Sequence, residues 1–394
     1  MKHYIEKLIP GNTSAAAIAP AIRAAAGRDD TPVSVVFSHD VFSEQSILPG
    51  VFIENTGDIS AVYDRIGEIF RDTSDIRVVA VEDIGTFCIG YTKADADHAM
   101  ICCTEGKAYE PSAQKCCMPS GRLSGKVSVV TGSAQGFGEG IAEGMAAEGS
   151  YMIIADLNIE LASKVADGLN DKYGEGTAAA VKVNVADEDS VREMVETTVL
   201  RYGGLDIFVS NAGVVRAGDL EEMNVKDFSF VTDINYLAYF LCVKYASRPM
   251  KIAAGFAGDV WSDIIQINSK SGLEGSNKNF AYAGSKFGGI GLTESFALEL
   301  VDHAIKVNSV CPGNYYDGPL WSDPEKGLFV SYLRAGKIPG AKTIEDVRQF
   351  YLSKSPIKRG CLPEDVTKAI LYCVEQKYET GQAIPVTGGQ KMLK

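Results

Sequence analysis

Histidine is scarce in this chain: His3, His39, His98 and His303 are the four, and they form no cluster that would suggest a shared metal ion. Long apolar runs are missing too. No stretch of about 18 uninterrupted apolar residues occurs, which excludes a transmembrane helix. Positive charge is in deficit, with 38 basic against 51 acidic residues and a net charge of −13. A surface of that sign repels nucleic acid and anionic lipid, so neither is expected as a partner. An anionic small substrate would need a local cationic pocket. Cysteine is present, but its count of nine is odd. The adjacent pairs Cys102-Cys103 and Cys116-Cys117 turn poorly to one ion, because zinc ligands are usually spaced by two to four residues. No metal is expected. The opening residues MKHYIEKLIPGNTS lack the charged-then-apolar layout of a signal peptide, so a reducing cytoplasm is the expected home.

What is present is ordinary for a globular protein: 46% apolar and 23% charged residues among 394. At about 150 residues per domain, two or three domains are expected. Residues 107–124, KAYEPSAQKCCMPSGRLS, are rich in proline and serine without periodicity and read as a linker. They divide a small α/β accessory domain, 1–119, from a larger domain, 120–394. In the first, an alanine-rich helix (Ser14–Ala26), a strand (Pro32–Phe37) and an amphipathic helix (Ile59–Phe70) are expected. Strands at Arg77–Val81 and Thr86–Tyr91 follow, joined by a turn at Asp83-Ile84-Gly85, then a helix at Ala94–Cys103.

From Lys126 onward, short apolar strands alternate with longer helical segments. The strands are KVSVV, YMIIA, AAAVKV, LDIFVS, DIIQIN, IKVNSV and AIPVTG; one of the intervening helices is expected to run unbroken from Val225 to Ser247. This alternation predicts a Rossmann-type, doubly wound parallel sheet with helices on both faces and a ligand at the carboxyl ends of the strands.

The first of these strands runs into Thr131-Gly132-Ser133-Ala134-Gln135-Gly136-Phe137-Gly138. Glycines there permit a tight turn and close approach of backbone to a pyrophosphate, which the following helix N-terminus also attracts. Asp156 ends the second strand, where a carboxylate accepts bonds from ribose hydroxyls and repels a 2′-phosphate, favouring NAD over NADP. Asn211-Ala212-Gly213 follows the fourth strand and leaves room for a cofactor. Ser269 ends the fifth strand, and Tyr282 and Lys286 stand four apart, one turn on one helix face. A lysine cation beside a phenol is expected to pull its pKa toward neutrality, making an acid/base for a substrate oxygen that Ser269 also bonds.

These features together resemble the short-chain dehydrogenase/reductase family over Leu123 to the C-terminus. The resemblance adds Cys311-Pro312-Gly313 after the sixth strand and, as a fourth catalytic residue, Asn235 in Asp233-Ile234-Asn235-Tyr236. It implies a catalytic set of Ser269, Tyr282, Lys286 and Asn235. It implies NAD held by Gly132, Ser133, Gln135, Gly136, Phe137, Gly138, Asp156, Leu157, Asn184, Val185, Asn211, Ala212, Gly213, Tyr282, Lys286, Pro312 and Gly313. Two positions depart from the family pattern: Asn184 replaces the usual aspartate, and Thr387-Gly388-Gly389 replaces Asp-Gly-Gly.

Within the family, the segments Ile265–Gly272, Lys286–Thr293, Lys358–Cys361 and Val386–Gln390 resemble the sorbitol-6-phosphate 2-dehydrogenases. That resemblance implies oxidation of a polyol phosphate, sorbitol 6-phosphate, at C2 to fructose 6-phosphate. Lys270, Lys278 and Asn279 are the candidate phosphate donors, and Arg359 a further one. Asn314–Ser355, with Trp321, Phe329, Tyr332 and Arg334, is expected to form a lid of short helices. Residues 30–105 resemble part of the class II sugar-phosphate aldolases but lack a His-x-His pair, which implies a non-catalytic remnant. Family resemblance also implies a homotetramer or homodimer. The alternatives are a dehydrogenase of an unphosphorylated polyol or other hydroxy compound, an NAD-binding sensor without turnover, and a working aldolase in the first domain.

Overall fold

The computed structural model describes residues 14–27, 33–40, 48–73, 75–107, 109, 120–334 and 336–392. Most of the 107–124 segment, Cys116-Cys117 and His3 lie outside the described residues.

The larger part is built on seven parallel strands: β5 (Val127–Thr131), β6 (Tyr151–Asp156), β7 (Ala178–Lys182), β8 (Ile207–Ser210), β9 (Ser262–Ile267), β10 (Ile305–Pro312) and β11 (Ala383–Val386). Their order is β11-β10-β9-β8-β5-β6-β7. The chain therefore winds outward from β5 to β7, returns to the other side of β5 at β8, and winds outward again to β11. The reversal opens a crevice at the carboxyl ends of β5 and β8, where such sheets bind ligands. Every residue of β5, β9 and β10 is buried, so β5 reads as a near-continuous apolar run, while polar residues of β9 and β10 are buried with hydrogen-bond or ion-pair partners, such as Asp263 with Lys306.

The smaller part is a four-stranded sheet, order β1-β4-β3-β2, of β1 (Ser34–Ser38), β2 (Gly50–Ile53), β3 (Val78–Val81) and β4 (Gly85–Gly90). β1 and β3 pair antiparallel with β4, while β2 pairs parallel with β3. The expected turn between β3 and β4 is present, with Asp83 at φ 57°. β2 was not expected. It is an edge strand in which only Ile53 is buried, so its sequence has no apolar alternation to read.

In chain order the helices are α1 (Ala15–Ala26), α2 (Ile59–Asp72), α3 (Lys93–Glu105), α4 (Gly136–Ala147), α5 (Ile159–Tyr173), α6 (Glu188–Tyr202), α7 (Val225–Thr232), α8 (Ala238–Ala254), α9 (Phe280–Leu300), α10 (Pro319–Ser322), α11 (Leu328–Arg334), α12 (Ile344–Ser353) and α13 (Pro363–Glu375). Local capping sets several starts: Thr92, Asn158 and Asp187 each accept a backbone N–H from the first turn of α3, α5 and α6. The helix expected from Val225 to Ser247 is interrupted. Asp233–Leu237 form a π-helical turn between α7 and α8.

The two sheets share one apolar core. Ile18, Ile22, Val35, Ile66 and Phe87 of the first part join Val129, Ile153, Phe208, Tyr239 and Ile264 of the second. Arg23 on α1 clamps the joint. Its guanidinium donates to Asp206 Oδ1 and Oδ2 at 3.0 and 2.8 Å, and to the carbonyls of Val33 and Gly125. Asp206 also accepts the Val127 N–H at 2.7 Å. Burial alone would raise the Asp206 pKa, but Arg23, Lys126 and the Val127 N–H together hold the carboxyl below its usual value. The Lys93 N–H donates to the Tyr151 hydroxyl at 3.0 Å. These contacts all lie near the amino ends of β5, β6 and β8, opposite the crevice.

Candidate active site

A cavity of about 1020 Å³ opens at the carboxyl ends of the parallel strands. All of its lining residues lie at or after Gly132. Its floor is the glycine turn. Gly132 has φ 64°, and a Cβ there would meet the Ala212 Cα at 3.0 Å. A Cβ on Gly138 would strike the Gly132 carbonyl oxygen at 2.1 Å. Only glycine lets α4 start this close to the turn and present its first N–H groups to the cavity. Ser133 does not line the cavity; it is fully buried and donates to the Val130 carbonyl at 2.7 Å.

Around the turn, the expected cofactor residues divide into those that line the cavity and those that also hold the frame. Gln135, Phe137, Leu157, Val185, Ala212, Gly213, Pro312 and Gly313 line it. Asp156 lines it too, while its carboxylate accepts the N–H groups of Ala134 and Asn158 at 3.1 and 2.9 Å. Asn211 donates from Nδ2 to the carbonyls of Thr131 and Gly132, at 2.8 and 3.0 Å, and so pins the turn to β8. Asn184 accepts the Ala186 N–H at 3.2 Å.

The four candidate catalytic residues converge beside this cradle. Ser269 follows β9 and accepts the Ser271 N–H on Oγ at 3.1 Å. Tyr282 and Lys286 lie on the first turns of α9, and both line the cavity. The Lys286 ammonium is 4% exposed, donates to the Ile267 carbonyl at 2.8 Å and stands 5.7 Å from the Tyr282 ring centroid. Burial depresses its pKa to about 8. The Tyr282 pKa runs opposite to the sequence expectation. Burial raises it, and the neighbouring Ser269 side chain is the group that pulls it back. A half-buried phenol at the cavity wall loses more to desolvation than the Ser269 side chain returns.

Asn235 sits in the π-helical turn and is 3% exposed. Its amide accepts the Val214 N–H at 2.8 Å, donates to the Val214 carbonyl at 2.9 Å, and donates to Ser285 Oγ at 3.2 Å. It thus ties the loop after β8 to α9, next to Lys286. The extra residue of a π turn swings Asn235 toward that loop, and such turns occur often at functional sites.

Two positioning residues were not read from the sequence. Asn268 donates to Gln266 Oε1 at 2.6 Å and to the Lys286 carbonyl at 2.9 Å, and accepts the Ser269 N–H at 2.8 Å. Gln266 in turn accepts from Ser309 at 2.9 Å. Two polar residues alternating at the end of an apolar strand, Ile-Gln-Ile-Asn, were the available signal. A buried amide there must be partnered.

The expected lid is present as α10, α11 and α12. Trp321 packs against Tyr316, Phe329, Tyr332 and Tyr351, at ring separations of 5.0 to 5.8 Å. Trp321, Tyr332 and Tyr351 also line the cavity. Arg334 is exposed and does not. Of the candidate phosphate donors, Lys270 and Asn279 line the cavity and Lys278 does not; it pairs with Asp219 at 3.1 Å. Arg359 pairs with Asp365 and lines a second, separate cavity.

Comparison with known proteins agrees with this geometry. The short chain dehydrogenase family model matches residues 126–322. A sorbitol-6-phosphate 2-dehydrogenase of Escherichia coli (strain K12) is 38% identical over 270 residues, covering 68% of this chain and 99% of that protein. A crystal structure of sorbitol-6-phosphate 2-dehydrogenase SrlD from Erwinia amylovora superposes with a TM-score of 0.62 at 38% identity, covering 68% of this chain and 100% of that one. An uncharacterized oxidoreductase of Bacillus subtilis (strain 168), YuxG, is 29% identical over 350 residues, 87% of this chain and 48% of that protein. That span is longer than residues 120–394, so the likeness reaches into the first part. With the glycine turn, the Ser-Tyr-Lys-Asn set and the seven-stranded sheet all in place, the chain belongs to the short chain dehydrogenase family and is an oxidoreductase.

Proposed function

We propose that the protein interconverts sorbitol 6-phosphate and fructose 6-phosphate with NAD. The observation that carries the reaction is the Ser269, Tyr282 and Lys286 group at the wall of one cavity that the glycine turn floors. The substrate follows from 38% identity to a sorbitol-6-phosphate 2-dehydrogenase over nearly all of that protein's length, together with a lysine, Lys270, in the cavity directly after Ser269. NAD is favoured because a carboxylate, Asp156, lines the cavity at the end of β6. The cradle fits the cofactor: side chains at Gly132 and Gly138 would strike Ala212 and the Gly132 carbonyl, so only glycine keeps the turn tight enough for a pyrophosphate to meet the start of α4.

NAD, when bound, supplies the acceptor for the hydride from C2. Ser269 orients the C2 hydroxyl. Tyr282, as phenolate, takes the hydroxyl proton. Lys286 supplies the positive field and Asn235 holds the loop beside it. The protein contributes position and field rather than bond chemistry of its own.

The first part is read as a non-catalytic, aldolase-like remnant, used for assembly or to shape the site. A homodimer or homotetramer through α8 and α9 is supported by the exposed Phe240, Phe287 and Leu298 on them.

The reverse reaction tests the assignment at one carbon. With NADH deuterated at C4 and fructose 6-phosphate, the deuterium is expected at C2 of a hexitol phosphate. Label at another carbon, or none transferred, refutes it.

A further inference from the structure

The lid brings cations to the cavity that stand far from Lys270 in sequence. Lys337, in the connection between α11 and α12, lines the cavity and stands 3.8 Å from the Tyr332 ring centroid. The charged groups acting on it are Lys354 and Lys278, both of its own sign. Lys270 lines the same cavity and is half-buried. The carboxylate acting on it, Glu274, also faces Lys391 at 3.5 Å, and Lys354 repels it. Lys354, at the end of α12, therefore faces both cavity lysines. In a protein of net charge −13, two lysines that line one cavity and are both repelled by Lys354 carry a strain that a bound anion relieves.

A polyol hydroxyl has no need of two ammonium groups backed by a third. A phosphate dianion does, because charge-assisted hydrogen bonds are the strong ones. Asn279 marks the opposite chemistry in the same cavity. Its Oδ1 is buried and has no hydrogen-bond partner. A carbonyl oxygen accepts from a hydroxyl and cannot accept from a dianion.

We propose that Lys337 of the lid and Lys270 beside Ser269 together grip the substrate's phosphate, with Lys354 strengthening the field behind them, while Asn279 reads a hydroxyl. This rests on the phosphorylated-polyol reading above. The phosphate then bridges lid and sheet, so its binding energy holds the lid shut over the reacting carbon.

The test uses the full chain with Lys337→Met and Lys337→Arg, each shown by NAD titration to bind cofactor. Lys337→Met is expected to raise KM for sorbitol 6-phosphate about ten- to a hundred-fold, the loss of one charge-assisted bond. Its effect on free sorbitol is expected to be at least tenfold smaller, by the same arithmetic. Lys337→Arg keeps the charge and is expected to recover most of the loss. The inhibition constant of inorganic phosphate against sorbitol 6-phosphate supplies a second readout, expected to weaken about tenfold or more in Lys337→Met. Equal losses on both substrates, or an unchanged phosphate inhibition constant, overturn the grip. If the unsubstituted protein prefers sorbitol 6-phosphate while Lys337→Met loses equally on both, only the grip fails. If the unsubstituted protein shows no such preference, the phosphorylated-substrate reading falls with it.

Discussion

Tyr282 and Lys286 show how burial and charge compete over a single proton. The phenol is pushed up by desolvation, and the ammonium is pushed down to about 8 by the same cause. Beside a neutral phenol Lys286 is fully charged only below about pH 8, but a phenolate forming next to it keeps the ammonium protonated to higher pH, so the two groups titrate as a pair. At 5.7 Å from the ring centroid its cation is within the range where an opposite charge favours phenolate. Oxidation needs the phenolate, so the rate rises as pH rises through the Tyr282 pKa. Lys286→Met removes the cation and is expected to move that rising limb to higher pH by about one unit or more. Lys286→Arg, charged at every working pH, is expected to leave the limb near its original place. A profile of kcat/KM against pH decides; a limb that does not move with Met would show that Ser269 alone tunes the phenol.

Elements rather than residues decide where these side chains point. β9 ends at Ile267, Asn268 and Ser269 follow directly, and Asn268 donates to the carbonyl of Lys286 on α9. Replacing Asn268 by alanine leaves the Ser269 N–H without its acceptor and removes one of the two bonds that tie Lys286 on α9 to the end of the strand. Losing such buried bonds costs about 1–3 kcal/mol. Asn268→Ala is expected to lower kcat about tenfold while barely changing NAD affinity. Stopped-flow turnover and NAD titration separate the two; a change confined to NAD affinity would contradict this positioning role.

The local features were readable from sequence because their meaning is local. The spacing of Gly132, Gly136 and Gly138 encodes a turn and a helix start, and the four-residue step from Tyr282 to Lys286 encodes one helix face. The π turn at Asp233–Leu237 was not readable, since one extra backbone residue leaves the apolar spacing of Val225–Ser247 intact. β2 was missed because an edge strand needs few buried residues. Lys337 was missed because its place in the same cavity as Lys270 comes from how the lid folds back over the sheet.

On the scale of the whole molecule, the chain separates its chemistry from its additional part. The site opens at the carboxyl ends of the parallel strands, and the first sheet packs at their amino ends through Arg23, Asp206 and a common apolar core. The Arg23 and Asp206 side chains are 13% and 14% exposed. Removing one partner of such a pair strands a nearly buried charge, at a cost of about 3–5 kcal/mol. Arg23→Ala is expected to lower the unfolding free energy by that cost, read as a fall in the urea midpoint at unchanged m, while leaving turnover at low temperature close to its original value. Unchanged stability would show that the two sheets are not joined through this pair. The joint itself was not readable from sequence, since it depends on residues more than a hundred positions apart.

The central claim is NAD-linked oxidation of a phosphorylated hexitol, and it is tested most directly by following NADH absorbance with purified protein. Sorbitol 6-phosphate with NAD is expected to give rapid turnover, with free sorbitol and NADP each far slower. Turnover of free sorbitol as fast as its phosphate, or none with either, would contradict the account.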